Sequence, residues 1–233
     1  MNVAIILAAG ESRRMGRPKQ LLAFGDKTML ERVIEAFESP KIQQIIVVLG
    51  HEADEIAERI GTPLRDGGTG LRACPNKPTQ AGTPVSPEPF QIVRNPYYRD
   101  GMFTSVQAGL RALRASTKLA LIALCDQPRL QRTTVERLVE IFERGKHKIL
   151  IPSFGGRQGH PLLFSARYAP EILAMEDSLT LKHFLANHPD DIARLPVEDE
   201  GVLLDIDDPE AYKRELGKST SAPARRRTRP TTQ

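Results

Sequence analysis

The feature that most constrains this chain is the loop at residues 7–22, which follows an apolar run at residues 3–7. The apolar run predicts a strand that is buried on both faces. Two glycines and Pro18 disfavour an ordinary helix directly after it. Three arginines and Lys19 lie within residues 13–19. Backbone N–H groups donate to phosphate oxygens and cations neutralise them, so such a loop indicates a site for a polyphosphate.

Length and composition predict one α/β domain. The chain has 233 residues, of which 40% are hydrophobic, enough for a sizeable core. Its longest apolar runs, of roughly seven residues, are too short to span a membrane. The N-terminus lacks a basic lead-in and a cleavage pattern, so we expect no signal peptide. Cys74 and Cys125 have no metal-type spacing and indicate a reducing compartment, so we expect a cytoplasmic protein.

Two segments depart from the regular pattern. Residues 61–89 hold six prolines and five glycines, which predicts a long loop or a mobile insertion. We expect the folded domain to span residues 1–217 and a basic tail to follow at 218–233. The four arginines of the tail equal the net charge of +4, so the folded part is close to neutral. No aromatic or folded surface accompanies them, which favours a disordered tail over a nucleic-acid partner.

Apolar runs and segments of helical spacing alternate along the chain, which predicts a parallel sheet with helical crossovers. Capping boxes begin helices at Thr28 and Thr133, and Asp208 caps a last helix with Pro209 at its first position. The predicted strands are residues 3–7, 45–49, 90–94, 119–124, 149–151, 162–164 and an edge strand at 192–195. The other predicted helices are residues 53–60, 104–114, 168–174 and 178–187.

Polar residues follow several of these strands, at the edge where ligands of open α/β sheets bind. They include the loop at 7–22, His51, Asn95 and Asp126. Asp126 ends a strongly apolar strand, where an unpaired carboxylate is costly, so it needs a partner. Mg²⁺ is the natural partner in a nucleotide enzyme. An Asx turn before Pro128 is the alternative.

Other polar groups have two interpretations each. Lys19 and Arg14 either neutralise phosphates or are solvated loop charges. Asp205 and Asp207 lie two residues apart at the end of a late strand, which suits a shared metal, or they match the dipole of the next helix. His160 either contacts a substrate phosphate or lies in a turn of a glycine-rich hairpin.

The loop motif also carries a family resemblance. Residues 7–22 read Leu-Ala-Ala-Gly-x-Ser-x-Arg-Met-Gly-x-Pro-Lys-x-Leu-Leu, which resembles the signature of nucleotidyltransferases with the Rossmann-like GT-A fold. Segments at 95–106, 125–128, 159–161 and 205–207 resemble its MobA-like branch, and within it the molybdenum cofactor cytidylyltransferases. The resemblance covers about residues 2–215. It implies a single α/β domain in which a mostly parallel sheet carries helices on both faces.

The resemblance implies roles for the charged residues. Lys19 and Arg14 are the implied catalytic residues, which bind the triphosphate. Asp126 lies by the nucleotide and binds Mg²⁺, the implied cofactor, and Asp207 is the second metal ligand. No catalytic acid–base pair stands out in the sequence, which suits a phosphate acceptor that is already mostly dianionic at neutral pH.

The resemblance also implies where the two substrates bind. Besides Lys19 and Asp126, the implied nucleotide-binding residues are Leu7, Ala8, Ala9, Gly10, Asn95 and Ser105. Gly159 and His160 are implied to face the acceptor. Ala9 stands where guanylyltransferases of this branch carry a glycine, which favours CTP over GTP.

Transfer of CMP from CTP to the phosphate of molybdopterin is therefore the expected reaction, with a molybdenum hydroxylase as a further partner. One rival is the same reaction on a sugar or alditol phosphate. A second is an accessory protein that binds a nucleotide or cofactor during hydroxylase assembly without turnover. A third, an oxidoreductase, lacks support because the first loop has no Gly-x-Gly-x-x-Gly run.

Overall fold

A computed structural model describes residues 1–61, 64–66, 90–145 and 147–220. Most of the predicted insertion, including Cys74, and the tail from residue 221 lie outside the described residues. One correction falls at their margin. Leu64–Asp66 is a strand, because it pairs with the strand at Phe90–Arg94, where the sequence predicted only loop. The last helix runs to Thr220, and the domain boundary predicted near residue 217 stays a prediction.

The strands of the described residues follow the predicted pattern closely. They are β1 Asn2–Ala8, β2 Ala23–Phe24, β3 Lys27–Thr28, β4 Gln44–Leu49, β5 Leu64–Asp66, β6 Phe90–Arg94, β7 Leu119–Leu124, β8 Ile149–Phe154, β9 Arg157–Gln158, β10 Leu162–Ser165 and β11 Ile192–Pro196. The helices are α1 Met29–Phe37, α2 Ala53–Ile60, α3 Met102–Arg111, α4 Arg132–Arg144, α5 Ala169–Ala174, α6 Leu181–Ala186 and α7 Pro209–Thr220. Short 3-10 turns include Lys19–Leu21 and Glu200–Val202.

Within the described residues, nine strands form one mixed sheet in the order β11-β8-β10-β7-β1-β4-β6-β5, with β9 paired to β8. The central strand β1 is parallel to β4 and to β7, and Ile5 lies between Ile46 and Ile122. Only β9 and β10 pair antiparallel to their neighbours in this sheet. The carboxyl ends of β1, β4, β6 and β7 therefore meet at one edge, which confirms the predicted mostly parallel sheet.

Helices cover both faces of the sheet. Successive residues of β1 point to opposite faces and therefore pack into two different cores. Ala4, Ile6 and Ala8 pack into a core shared with α1, α2 and α4. Val3, Ile5 and Leu7 pack into a second core shared with α3, α5 and α6. A third, smaller cluster of Leu22, Phe24, Met29 and Ile206 joins the end of the first loop to the segment before α7.

The helix starts show which local signals decided the structure. The capping box at Thr28 is confirmed, with reciprocal hydrogen bonds to Glu31. The capping box predicted at Thr133 is wrong, because the N-cap of α4 is Gln131, two residues earlier, and the helix begins at Arg132. Glu136 instead accepts a hydrogen bond from Ser39 Oγ at 2.7 Å, a tertiary contact that the local pattern does not reveal.

The described part of the chain contains no helix that is long and apolar enough to cross a membrane.

The predicted start of the last helix is confirmed, since Asp208 Oδ1 accepts from the backbone N–H of Ala211 at 2.8 Å. This helix carries no predicted ligand itself, but it fixes the end of the segment that holds Asp207.

Candidate functional site

Lys19, Asp126 and Asp207 converge at the carboxyl edge of the sheet, beyond β1 and β7. Lys19 Nζ lies 2.5 Å from Asp126 Oδ2 and 2.9 Å from Asp207 Oδ1. The side chains of Lys19 and Asp126 are only 14% and 13% exposed, so water screens this contact little. Arg14 Nη2 lies 3.4 Å from Asp207 Oδ2 at the exposed rim. The structure thus brings together the four charged residues that the sequence singled out.

Hydrogen bonds from the backbone of Ile206 and the side chain of Gln127 hold the segment that carries Asp207 beside this cluster. The N–H of Ile206 donates to the carbonyl of Asp126 at 2.9 Å. Gln127 Nε2 donates to the carbonyl of Val202 at 3.2 Å and to Asp205 Oδ1 at 2.9 Å. These bonds hold the segment alongside residues 126–127.

The late strand predicted to end at Asp205 and Asp207 is wrong. Residues Glu200–Val202 form a 3-10 turn, and the residues after it hydrogen-bond to the end of β7 without joining the sheet. Asp205 consequently bonds Gln127, while Asp207 alone reaches Lys19. The expected sharing of one site by both carboxylates is not observed.

Gln20 holds the start and the end of the loop at residues 7–22 together, a role that the sequence did not predict. Its side chain is buried, and Nε2 donates to the carbonyls of Ala8 at 2.7 Å and Gly10 at 3.1 Å. Ser12 Oγ donates to Gln20 Oε1 and accepts from the backbone N–H of Lys19 at 3.0 Å. The two side chains bind the start of the loop to its end. In the sequence, the only sign of this role is that Gln20, an amide, occupies the variable position of the Pro-Lys-x-Leu motif.

The cations of the loop pair with acidic residues from within and outside it. Arg13 pairs with Glu11, while Lys19 pairs with Asp126 and Asp207. Hydrogen bonds from Arg99, then from Arg13, lower the pKa of Glu11 to about 2. Arg13 and Arg99 are therefore held at the rim by Glu11, whereas Lys19 points into the cluster.

The pKa directions reflect a buried carboxylate held by a cation. Burial raises the pKa of Asp126, although Lys19 opposes this shift. Burial favours neutral Lys19, but the adjoining carboxylates Asp126 and Asp207 outweigh it and raise the pKa of the ammonium. Burial acts to raise the pKa of Asp207, but the hydrogen bond from Lys19 outweighs burial and lowers this pKa. The Lys19 ammonium therefore lies between the side chains of Asp126 and Asp207 and stabilises the charged form of each.

The carboxylates also suit a divalent metal ion. Asp126 Oδ1 is buried and lacks a hydrogen-bond partner among the described residues, which leaves one oxygen available for a ligand. Carboxylate oxygens are the ligands that Mg²⁺ prefers, commonly one or two of them together with substrate phosphates. No group of three or more metal-ligating side chains occurs in the described part of the chain, so Asp126 and Asp207 would depend on phosphate oxygens to complete the coordination.

The predicted nucleotide-binding residues Leu7, Ala8, Ala9 and Gly10 form the end of β1 and the start of the loop. The first three have buried side chains, so only backbone groups and Gly10 are available to a ligand there. The carbonyl of Ala9 accepts from the N–H of His51 at 3.2 Å. These contacts fix the backbone direction at the sheet edge.

Asn95 and Ser105 lie in an internal hydrogen-bond network at the end of β6. Asn95 is 2% exposed, and its Nδ2 donates to Thr104 Oγ1 and Ser105 Oγ, both at 2.9 Å. Asn95 Oδ1 accepts from the N–H of Tyr97 at 3.0 Å. The pair fastens β6 to the first turn of α3. Direct contact of either residue with a nucleotide stays a prediction.

A cavity of about 170 Å³ lies on the α3 side of the sheet, beside His160. Leu7, Val106, Leu124 and Leu181 form the apolar part of its lining, and Asp100, Asp177, Ser178 and Thr180 form a polar part. Met102 and Phe103, the first residues of α3, also line it, and the N-terminus of this helix has no side-chain cap. The cavity therefore combines apolar walls with the free N–H groups of a helix start.

Gly159 and His160, the predicted acceptor residues, enter this region from the hairpin of β8 and β9. A side chain at Gly159 would collide with the carbonyl of Val202, so the glycine permits a close approach of two backbones. His160 N donates to the same carbonyl at 2.9 Å. Burial lowers the pKa of His160, although Asp126 opposes the shift, so the imidazole is neutral at neutral pH.

Comparison with known proteins places this geometry in a family context. The sequence matches the family described as the MobA-like NTP transferase domain over residues 4–192. Nicotine blue oxidoreductase of Paenarthrobacter nicotinovorans is 27% identical over 219 residues, which cover 91% of this chain and 95% of that protein. Molybdenum cofactor cytidylyltransferase of Escherichia coli is 26% identical over 215 residues, which cover 89% and 92%.

A solved structure supports the same fold. A Mycobacterium tuberculosis protein crystallised in complex with manganese has a TM-score of 0.66 with this chain at 21% identity. The match covers 93% of this chain and 98% of that protein. At this level of identity the likeness concerns the fold. It confirms the expected architecture of a single α/β domain with helices on both faces of a mostly parallel sheet.

Proposed function

Because this chain belongs to the MobA-like NTP transferase family, we propose that it transfers CMP from CTP to the phosphate of molybdopterin and releases pyrophosphate. Nucleotidyl transfer itself follows from the family. The choice of CTP and molybdopterin rests on the cytidylyltransferase of Escherichia coli, which is similar along nearly its whole length, and on Ala9 in the loop.

The observation that carries this proposal is the cluster of Lys19, Asp126 and Asp207. A buried ammonium beside two carboxylates, one with a free oxygen, can bind a triphosphate and a divalent metal together. The loop held by Gln20 supplies backbone N–H groups beside them. Such a site suits phosphoryl or nucleotidyl transfer, in which positioning and charge neutralisation provide most of the catalysis.

In the proposed reaction, Asp126 and Asp207 would hold Mg²⁺, which supplies positive charge at the phosphates when bound. Lys19 and Arg14 bind and orient the triphosphate. An oxygen of the acceptor phosphate forms a bond with the α-phosphorus, and the bond from this phosphorus to the bridging oxygen of pyrophosphate breaks. The acceptor phosphate is mostly dianionic at neutral pH, because its second pKa is about 6, so no protein base has to remove a proton.

The cavity beside His160 is the proposed place for the acceptor. Leu7, Val106, Leu124 and Leu181 offer apolar contact to a heterocycle, and the uncapped start of α3 suits a phosphate group. Polar side chains of Asp100, Asp177, Ser178 and Thr180 also line the cavity and could bind hydroxyl groups. The choice of molybdopterin over a sugar or alditol phosphate therefore rests on the similarity to the cytidylyltransferase.

The oxidoreductase alternative has one specific observation in its favour, the similarity to nicotine blue oxidoreductase. That relative's name describes an oxidoreductase that acts on nicotine blue. The loop of the present chain nevertheless lacks a dinucleotide fingerprint, while the ion pairs of Lys19 with Asp126 and Asp207 support a phosphate and metal site. Nucleotidyl transfer is therefore the proposed function, and the oxidoreductase activity is tested in the same experiment.

The test is pyrophosphate release by the purified chain with Mg²⁺, each nucleoside triphosphate in turn, and either molybdopterin or a panel of sugar and alditol phosphates. We expect release with CTP and molybdopterin, and loss of release on chelation of Mg²⁺. Release with the sugar or alditol phosphates alone would overturn the acceptor assignment. Binding without release would favour an accessory protein, and oxidation of NADPH with a heterocyclic dye would favour the oxidoreductase.

A further inference from the structure

Lys19 occupies the position between the two carboxylates that are proposed to hold the metal. Its ammonium takes one oxygen from each, Asp126 Oδ2 at 2.5 Å and Asp207 Oδ1 at 2.9 Å. Arg14 approaches the other oxygen of Asp207 at 3.4 Å. Of the four carboxylate oxygens, only Asp126 Oδ1 is left without a described partner.

A divalent cation that arrives alone meets an unfavourable site. It would have to displace the ammonium from two charge-assisted hydrogen bonds or bind against a neighbouring positive charge. The ammonium would gain no compensating partner, because Lys19 is held in a buried position and the other acidic group of the loop, Glu11, is engaged by Arg13 and Arg99.

A triphosphate changes this balance. Its oxygens are new partners for the ammonium, so Lys19 can leave the carboxylates without losing its charge-assisted hydrogen bonds. Only the side chain has to move, because Ser12 Oγ holds the backbone N–H of Lys19 at 3.0 Å. The long, flexible stem of a lysine allows such a movement.

We infer that Lys19 excludes divalent cations from Asp126 and Asp207 until a nucleoside triphosphate draws its ammonium away, so that metal and nucleotide enter the site together. This inference rests on the proposed function, since it concerns the order in which the same site is filled. It assigns Lys19 a second role, as the residue that keeps the nucleotide-free protein from binding metal.

The test is binding of Mn²⁺ alone, measured as loss of the free-ion signal in electron paramagnetic resonance. The Lys19→Met variant keeps the length of the stem without the charge, and we expect it to bind Mn²⁺ at least roughly tenfold more tightly than the wild-type chain. Arg13→Met is the matched control, because it removes one positive charge from the same loop at a residue that pairs with Glu11. We expect the control to change Mn²⁺ binding by less than about twofold.

Adding Asp207→Asn to Lys19→Met should abolish the gain, which assigns the new binding to this site. Lys19→Gln is the second variant if Lys19→Met does not fold by circular dichroism, with the same expectation. Equal Mn²⁺ affinity in the wild-type chain and the Lys19 variants, or an equal gain in Arg13→Met, would overturn the inference. Failure of the proposed function would appear separately, as absence of pyrophosphate release by the wild-type chain.

Discussion

At the scale of single residues, Lys19 has the strongest constraints on it. Its side chain is 14% exposed and its ammonium is held by Asp126 and Asp207, so its charge is fixed and directed into the sheet edge. A cation in so shielded a position acts more strongly on a triphosphate than a surface lysine would. Arg14, at the exposed rim, contributes a weaker and more easily screened charge.

Replacing Lys19 by alanine should therefore lower the turnover number by roughly two to three orders of magnitude, the usual cost of one preorganised transition-state contact. The measurement is pyrophosphate release at saturating substrates. Arg13→Ala, at a loop cation held by Glu11, is the matched control and should retain most of the activity. Near-normal turnover in Lys19→Ala would remove the residue from the catalytic machinery.

His160 gives a prediction about pH. Burial lowers its pKa in the folded protein, so between that pKa and about 6.5 the unfolded chain binds more protons than the folded one. The contribution of His160 to the free energy of unfolding is therefore present above pH 6.5 and is lost as the pH falls. Urea denaturation between about pH 7 and pH 5 should show a smaller loss of stability in His160→Gln than in the wild-type chain. Parallel losses in the two proteins would contradict the burial of a neutral imidazole.

At the scale of elements, the loop after β1 depends on two polar side chains for its shape. Gln20 holds the carbonyls of Ala8 and Gly10 inward, while Ser12 holds the N–H of Lys19. The remaining backbone N–H groups and the cations are thereby left for a ligand. Preorganisation of this kind lowers the entropy lost when the ligand binds.

Gln20→Met keeps the volume of the side chain but leaves two carbonyls without their donor. We expect the KM for the nucleotide to rise roughly tenfold, equivalent to the loss of about one buried hydrogen bond. The KM for the acceptor should change by less than about twofold, because the proposed acceptor residues, Gly159 and His160, lie on a different segment, directly after β9. Steady-state kinetics with each substrate varied in turn separates the two constants. An equal rise in both would indicate general loosening of the fold.

These contacts also show how far the sequence could predict the site. Lys19, Asp126 and Asp207 were predicted because a charged residue beside a buried strand needs a partner and because the motif resembles a known family. The contacts of Gln20 and Gln127 were not predicted, since an amide carries no charge and no periodic pattern that points to a distant carbonyl. The late strand was predicted wrongly because the hydrogen bonds after Val202 go to the end of β7 outside the ladder.

At the scale of the whole molecule, the parallel sheet is the part that the sequence predicted best. Continuous apolar runs, as in β1, β4 and β7, are typical of strands buried on both faces, and their register places the site at one edge. The short strand β5 was missed, because it depends on pairing with β6 that composition does not reveal.

Close packing of α3 on the sheet gives a prediction about stability. A side chain at Gly109 would overlap Ile5 Cγ2 and lie 3.2 Å from Val48 Cγ2. Gly109→Ala should therefore lower the free energy of unfolding by about 1–3 kcal/mol, despite the better helix propensity of alanine. The control is Gly217→Ala in α7, where a side chain meets nothing within 4 Å and should be neutral or slightly stabilising. Equal effects in urea denaturation would contradict the described contact.

The central claim is that Asp126, together with Lys19, forms a metal and triphosphate site at which the CMP group of CTP, with its α-phosphorus, is transferred. Its most direct test is transfer of radiolabel from CTP labelled at the α-phosphorus to molybdopterin, in the wild-type chain and in Asp126→Asn. This substitution keeps the shape of the side chain but removes its negative charge. Label should appear in the acceptor product with the wild-type chain and Mg²⁺, and fall by at least roughly two orders of magnitude in Asp126→Asn. Equal transfer of label by both proteins would contradict the account.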